Sequence, residues 1–125
     1  MKRADELFKI RLTKYGYERD NKDDHLIPDP EPESVALVRE FIKLNCKKHS
    51  RINKKCNSYI MKHIAERAVG RYIGNGEFIK AAYDEGYSIT QYVNELTCDI
   101  NMKCKTSAYS NYYFLTDYQL KKEYI

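Results

Sequence analysis

The 125-residue chain has no tryptophan, only three prolines and five glycines, and no apolar run long enough to span a membrane. Its first 20 residues alternate charged with apolar side chains, which excludes a secretory signal peptide. We therefore expect a cytoplasmic protein that does not associate with membranes. A chain of this length is expected to form one domain with a modest core.

Acidic residues are missing between Glu40 and Glu66, although the whole chain has 18 of them. This local excess of positive charge predicts binding to a polyanion, either nucleic acid or an acidic protein face. A solvated helix end and loop has the same composition and is the alternative. The candidate nucleic-acid-binding residues are Lys47, Lys48, Arg51, Lys54, Lys55, Lys62 and Arg71.

The four cysteines, at positions 46, 56, 98 and 104, lack the close pairing that short zinc loops need. Free thiols are the expected state in a reducing cytosol, with no metal and no other cofactor. A mixed metal site is the alternative, because His49 follows Cys46 by about one helical turn and His63 follows Cys56 at a somewhat longer spacing. Its first candidate ligands are Cys46, His49 and Cys56.

Twelve tyrosines are present, and several lie towards the end of the chain. A ring with a polar tip suits half-buried surfaces and interfaces, and base stacking is an alternative use of such rings. The candidate protein-interface residues are Tyr92, Tyr109, Tyr112 and Tyr113.

The chain divides into three parts by pattern. Residues 1–17 predict an N-terminal helix that ends at Gly16, although the alternation of Phe8, Ile10 and Leu12 also fits a strand. Residues 18–33 are polar and contain all three prolines, which predicts a linker. Residues 34–125 are expected to form a domain with helices and then a β-hairpin.

Three helices are predicted at the start of that domain. The first is capped by Ser34, the second runs from Asn57 or Ser58 to Gly70, and the third runs from its N-cap Asn75 to Gly86. Residues 49–57 are expected to form a basic loop between the first two. The predicted core residues are Val38, Phe41, Ile42, Ile60, Ile64, Phe78, Ile79 and Ala82.

Two β-rich runs follow, "YSITQYV" at 87–93 and "AYSNYYFL" at 108–115, and they predict a hairpin whose long tip spans 94–108. Thr116 and Asp117 are predicted to cap a last short helix. Three helices and a hairpin give an α+β domain with the element order of a winged helix-turn-helix. In that arrangement, residues 75–85 would form the recognition helix.

The glycines at 70, 74 and 76 do not have the spacing of a dinucleotide-binding loop, and no strand is predicted before them. They are interpreted as helix boundaries.

A longer stretch, "NSYIMKHIAERAVGRYIGNGEFIKAAYDEGY" at 57–87, resembles a family of small uncharacterised proteins from phages, plasmids and integrated elements. Its members have a Ser-Tyr-x-x-Lys-His segment, then a Glu, then a Tyr-aliphatic-x-Asn-Gly-x-Phe-Ile run. The matching residues are Ser58, Tyr59, Lys62, His63, Glu66, Tyr72, Asn75, Gly76, Phe78 and Ile79. The resemblance implies a mobile-element origin and no particular activity.

Lys62 and His63 could act as a functional pair only with a nucleophile or second carboxylate in reach, and Glu66 is the one acid nearby on the helix. A hydrogen bond between His63 and Glu66 on the helix surface is the preferred interpretation. No serine nucleophile elbow, metal-ligand set or paired carboxylates occur elsewhere. We therefore expect no enzymatic activity and no catalytic residues.

The combined expectation is a non-enzymatic binding module of a phage or mobile element that binds nucleic acid in a regulatory role. The predicted recognition helix argues against ordinary base reading, because its outward residues Glu77, Lys80, Asp84 and Glu85 are net acidic. The alternative is an inhibitor of a host defence nuclease, such as an anti-CRISPR protein, that binds a host nucleic-acid-processing protein. The choice between DNA, RNA and protein partners, and the oligomeric state, stay open.

Overall fold

The computed structural model describes residues 10–109 and Tyr124. It has an α+β architecture, as expected, with four helices and two small antiparallel sheets. The elements are β1 (Leu12–Thr13), β2 (Gly16–Tyr17), α1 (Pro32–Asn45), β3 (Cys46–Asn53), α2 (Ser58–Val69), α3 (Asn75–Asp84), β4 (Ile89–Thr90), β5 (Asp99–Cys104) and α4 (Thr106–Tyr109). Single 3-10 turns lie at Asp24–Leu26 and Lys54–Cys56.

The larger sheet has the strand order β3-β5-β4, so β5 is its central strand and β3 is a long edge strand. Cys46 lies opposite Cys104 and Lys48 opposite Met102, and the register shifts between Lys48 and Asn53. Side chains of β5 alternate between buried and half-buried from Ile100 to Cys104. One face of the sheet therefore packs on the helices, and on the other, the outer face, Asn101 and Lys103 are half-buried.

The core lies between the three long helices and the inner face of this sheet. Seven of the eight core residues predicted from the sequence are buried, and Ile60 is half-buried against the same cluster. The sheet adds Ile100, Met102 and Cys104, and Ile73 joins from the segment before α3. Phe78 is completely buried and is the largest of the fully buried side chains.

The predicted helix ends are partly correct. Asn57 caps α2 by accepting a hydrogen bond from Ile60 N–H, and Gly70 ends that helix in the left-handed conformation. The first helix instead begins at Pro32, since proline fits the first turn of a helix. Gly74 precedes α3, so Asn75 is the first residue of that helix and not its cap.

The predicted N-terminal helix is wrong over the described residues 10–17. These form the β1–β2 hairpin, with Leu12 opposite Tyr17, and residues 1–9 lie outside the described part of the chain. The hairpin packs on the first turn of α3, where Gly76 N–H donates to Lys14 O at 2.9 Å. A β-carbon on Gly76 would overlap the carbonyl oxygen of Thr13, so the approach requires glycine.

Residues 18–33, predicted to be a linker, fold back on the hairpin. Lys14 N–H donates to Pro28 O at 2.8 Å, and Arg19 pairs with the buried Asp24 at 3.1 Å. Arg11 donates a hydrogen bond to Asp29 at 2.9 Å. This segment therefore belongs to the same folded unit as the helices and is not a spacer.

Two predictions about strands are also wrong. The basic loop at 49–57 is mostly edge strand β3 and the turn that follows it. The long hairpin tip predicted at 94–108 contains β5, which pairs with β3 and β4. The second β-rich run begins instead with α4, and residues 110–115, like Thr116 and Asp117, lie outside the described residues.

Glu77 is the most deeply buried charged residue of α3. Its carboxylate accepts hydrogen bonds from Gly74 N–H at 2.9 Å and from Glu31 N–H at 2.7 Å. Gly74 immediately precedes α3, and Glu31 immediately precedes α1. One side chain thus fixes the starts of two helices, and the sequence-based placement of Glu77 on an outward acidic face is wrong.

Replacing Glu77 with alanine should lower the free energy of unfolding by about 3 kcal/mol or more. Two buried N–H groups would lose their acceptor, and each hydrogen bond to a charged group contributes roughly 1.5–3 kcal/mol. The matched control is Asp84→Ala, which removes a surface partner of Lys80 on the same helix and should cost about 0.3–0.5 kcal/mol. Equal urea midpoints for the two variants would contradict this role of Glu77.

Candidate nucleic-acid interface

The edge strand β3 and the turn after it carry five of the seven basic residues selected from the sequence. Their side chains are exposed, and none forms an ion pair with a carboxylate in residues 10–109. We name this surface the basic edge and include Lys103 of the neighbouring strand β5. Its members are Lys47, Lys48, Arg51, Lys54, Lys55 and Lys103.

Lys47 and Lys103 lie directly opposite each other on the paired strands. Residues opposite each other in an antiparallel pair point to the same face, so the two lysine side chains share one patch of the outer sheet face. Like charges in this position destabilise a sheet. The pair therefore lowers stability unless an anion binds between or beside the two groups.

Aromatic rings flank this patch. Lys47 Nζ lies 4.8 Å from the centre of the Tyr124 ring, and Tyr124 forms a β-bridge with Lys105. Lys48 Nζ lies 5.7 Å from the Tyr87 ring at the other side of the strand. Cation–π contacts of this kind hold ammonium groups near the surface without neutralising them.

Asn101 fixes the strand geometry behind the basic edge. Its side-chain amide donates to His49 O at 3.2 Å and accepts from Ser88 N–H at 2.7 Å. Asn53 ties the far end of β3 to β5 by donating to Met102 O at 2.9 Å. The exposed lysines therefore project from a strand whose backbone is held at two points across the register shift.

Lys62 does not belong to the surface predicted from the sequence. It is only 6 % exposed, and its Nζ donates to Glu66 Oε1 at 2.8 Å. Arg71 is engaged with Glu31 and Glu33, both at 3.4 Å. Buried or paired cations release few counterions, so these two residues are removed from the candidate phosphate contacts.

Glu66 joins α2 to the segment before α3. Besides Lys62, it accepts from Ile73 N–H at 3.2 Å, and His63 Nδ1 lies 3.3 Å from its other oxygen. Desolvation opposes ionisation, but the hydrogen bonds from Lys62 and Ile73 outweigh it, and the pKa of Glu66 is lowered. The His63–Glu66 contact expected from the sequence is present, and its position is that of a structural link.

Of the candidate interface tyrosines, only Tyr92 has a described side chain. Its hydroxyl donates to the buried carboxylate of Asp99 at 2.5 Å, so this end of Tyr92 supports the loop between β4 and β5. Tyr109 ends α4, but its side chain lies outside the described part, as do Tyr112 and Tyr113. Their proposed interface role stays a prediction.

The basic residue that sequence reasoning missed is Lys103. It was assigned to a polar hairpin tip, whereas the alternation of Ile100, Met102 and Cys104 with polar residues is the pattern of a half-buried strand. That alternation could have placed Lys103 on the outer face of the sheet. Its pairing with Lys47 was not available from the sequence, because the two lie more than 50 positions apart.

All four cysteines are buried and free of disulfides. Burial raises the pKa of Cys56 to about 12 and that of Cys98 to about 12. A hydrogen bond with the Cys104 thiol, together with burial, raises the pKa of Cys46. Residues 10–109 and Tyr124 contain no group of three or more His, Cys, Asp or Glu placed to hold a metal ion.

No protein-family model, curated protein or solved structure matches this chain. The proposals below therefore rest on its own geometry. Within the residues that the structure describes, no helix has the length and apolar character needed to cross a lipid bilayer.

Alkylation of the thiols should be slow in the folded protein at pH 8 and complete in urea. Only the thiolate reacts, and the raised pKa values of Cys46, Cys56 and Cys98 keep these thiols protonated at that pH. Mass spectrometry after iodoacetamide treatment measures this difference. Rapid native labelling of Cys56, or one zinc per chain by elemental analysis, would contradict the buried free-thiol state.

Proposed function

We propose that this protein is a non-enzymatic nucleic-acid-binding module whose basic edge holds the phosphate backbone. The observation that carries the proposal is the Lys47–Lys103 pair, two like charges on directly opposite residues of the outer sheet face. A bound phosphate would turn this repulsion into two attractive contacts. Neighbouring exposed Lys54 and Lys55 extend the same positive surface along the chain.

Phosphate binding also accounts for the fact that all charged residues of β3 are positive. Each cation that neutralises a phosphate releases a condensed counterion, which is the main source of sequence-independent affinity. No carboxylate occurs from residue 41 to residue 65, so nothing on this strand repels a phosphate. Lysines on an edge strand also discourage aggregation through pairing with strands of other molecules. Binding experiments distinguish this protective role from phosphate binding.

A winged-helix-like arrangement is part of the proposal. The order α1, β3, α2, α3, β4, β5 and the sheet order β3-β5-β4 support it. Helix α3 would then stand in the place of the recognition helix, but seven of its ten residues are buried and the β1–β2 hairpin packs on its first turn. We therefore assign the contact with nucleic acid to the basic edge and not to α3.

A regulatory role in a phage or mobile element is the biological setting that we propose for this binding. If the chain binds one host protein and does not bind nucleic acid, inhibition of a host defence nuclease would replace this regulatory role as the proposed function.

Removing two charges from the basic edge should flatten the salt dependence of binding. For Lys54→Ala/Lys55→Ala, the slope of log affinity against log salt on duplex DNA should fall by up to about 1.8, at roughly 0.9 per phosphate contact. The control Lys22→Ala/Lys80→Ala changes the net charge equally at exposed or half-exposed positions away from β3. Fluorescence anisotropy over a salt series measures both slopes, and equal slopes would contradict the proposal.

A second experiment addresses the Lys47–Lys103 pair directly. Lys103→Glu should raise the free energy of unfolding by about 0.2–1 kcal/mol, because an opposite-charge pair replaces a like-charge pair. The same change should weaken nucleic-acid binding. Higher stability with unchanged binding would show that the Lys47–Lys103 pair does not contact nucleic acid.

A further inference from the structure

Three tyrosines surround a buried lysine where α2, the β1–β2 hairpin and residues 96–97 meet. Tyr15, Tyr59 and Tyr72 are 42 %, 50 % and 52 % exposed, and Lys62 lies beneath them at 6 %. Together with Asn75 they line a concavity of about 360 Å³. We name these five residues the tyrosine pocket. Its volume lies at the lower end of the range for small-ligand sites.

The three rings are partly exposed and partly in contact with neighbouring side chains. Lys62 Nζ lies 4.7 Å from the centre of the Tyr72 ring, and the Tyr59 ring meets His63 edge to face. Tyr15 and Tyr72 are edge to face, with centroids 6.4 Å apart and planes at 72°. Three half-exposed tyrosine rings therefore adjoin on one rim, and together they form a partly exposed aromatic patch. A flat apolar ligand would cover this surface.

Two polar groups at the floor of the tyrosine pocket lack a full set of hydrogen-bond partners among the described residues. Lys62 has three N–H groups, and Glu66 accepts from one of them; Lys62 has no other acceptor in the described part of the chain. Asn75 Nδ2 donates to Leu96 O at 2.9 Å and Tyr15 O at 3.3 Å, which fixes the orientation of the amide. Asn75 Oδ1 accepts no hydrogen bond from any described residue.

A ligand that fits is flat, has π faces and carries both a hydrogen-bond acceptor and an N–H donor on its edge. Nucleobases have all three properties. Lys62, which is 6 % exposed, would donate to the acceptor. Asn75 Oδ1 is covered by its neighbours and would accept from the N–H donor once the lining side chains move aside. A paired base inside a duplex offers neither its faces nor its pairing edge, so the base must be unpaired.

The tyrosine pocket is also close to the basic edge. Tyr59 follows Lys55 by four residues, so their α-carbons are at most about 14 Å apart. Lys14 Nζ lies 5.9 Å from the Tyr72 ring and adds a second positive charge at the rim. A strand whose phosphates follow the basic edge can therefore place a nearby base in the pocket.

We propose that the tyrosine pocket binds one unpaired nucleobase of a single strand held by the basic edge. The course of the strand rests on the function proposed above, whereas the base-binding pocket stands on its own residues. Recognition combines stacking on Tyr59 and Tyr72 with a hydrogen bond from Lys62. The protein would accordingly prefer single-stranded or locally opened nucleic acid over intact duplex.

The test compares the folded chain on three probes of equal charge: single-stranded oligo(dT) of about 12 nucleotides, oligo(U) of the same length, and an abasic phosphodiester chain. Wild-type protein should bind at least one base-bearing strand more tightly than the abasic chain. Tyr59→Ala and Tyr72→Ala should each lower affinity for that strand by roughly 5- to 150-fold, the range measured for one stacked base. Affinity for the abasic chain and the salt slope should not change.

Two matched variants and thermal melts control for stacking and folding. Tyr59→Phe keeps the ring and should retain wild-type affinity, and Tyr83→Ala removes an equally large tyrosine, 68 % exposed on α3, without effect. Equal wild-type affinity for abasic and base-bearing strands, or unchanged binding by both alanine variants, would overturn the pocket while leaving the basic edge intact.

Free thymidine and uridine monophosphates separate the two proposals. If they shift the amide resonances of residues 72–76 while no strand binds at any salt concentration, the pocket stands and the basic edge is wrong. If neither strands nor mononucleotides bind, both proposals are overturned. Tighter binding of oligo(dT) or of oligo(U) supports the pocket in either case and identifies DNA or RNA as the preferred strand.

Discussion

The buried carboxylate of Glu77 is the constraint on which the arrangement of the helices depends. It accepts hydrogen bonds from the backbone immediately before α1 and immediately before α3, and so holds two helix starts in contact. Negative charge at these positive helix ends is favourable for both dipoles. The close fit of Gly76 against Lys14 and Thr13 then brings the β1–β2 hairpin onto the same point. A change there would disturb the hairpin, α1 and α3 together.

That junction also leaves little of the surface of α3 free for contact with a partner. In a helix that enters the major groove, one face must stay free, but here α1, α2 and the hairpin cover most of the surface of α3. The residues of α3 that are not buried, Lys80, Tyr83 and Asp84, carry no net charge, because Lys80 pairs with Asp84 at 2.6 Å. Positive charge is instead concentrated along β3 and its turn, at the opposite edge of the sheet from β4. The fold thus separates the element that organises the core from the surface that we propose for binding.

The environment of Lys62 in the fold differs from the one that its position in the sequence predicts. By sequence Lys62 is the last lysine of a basic run, equivalent to Lys55, but the turn of α2 directs it under Tyr72 and towards Glu66. The ammonium group of Lys62 therefore lies in the tyrosine pocket and not on the basic edge. Tyr15 and Tyr59, more than 40 positions apart, reach this pocket only because the hairpin folds back on α3.

Local chemistry in the sequence determined α2 and α3, most of their ends and nearly the whole core, because helical periodicity, an asparagine cap and a glycine stop act over a few residues. It also determined that positive charge accumulates at 43–62. It did not determine the β1–β2 hairpin, whose two-residue strands depend on packing against α3. Nor did it determine the edge strand β3 and the position of Lys103 opposite Lys47, because β3 pairs with a strand that is distant in the sequence. Only the tertiary structure decided which lysines face solvent, since burial depends on partners that the chain supplies from far away.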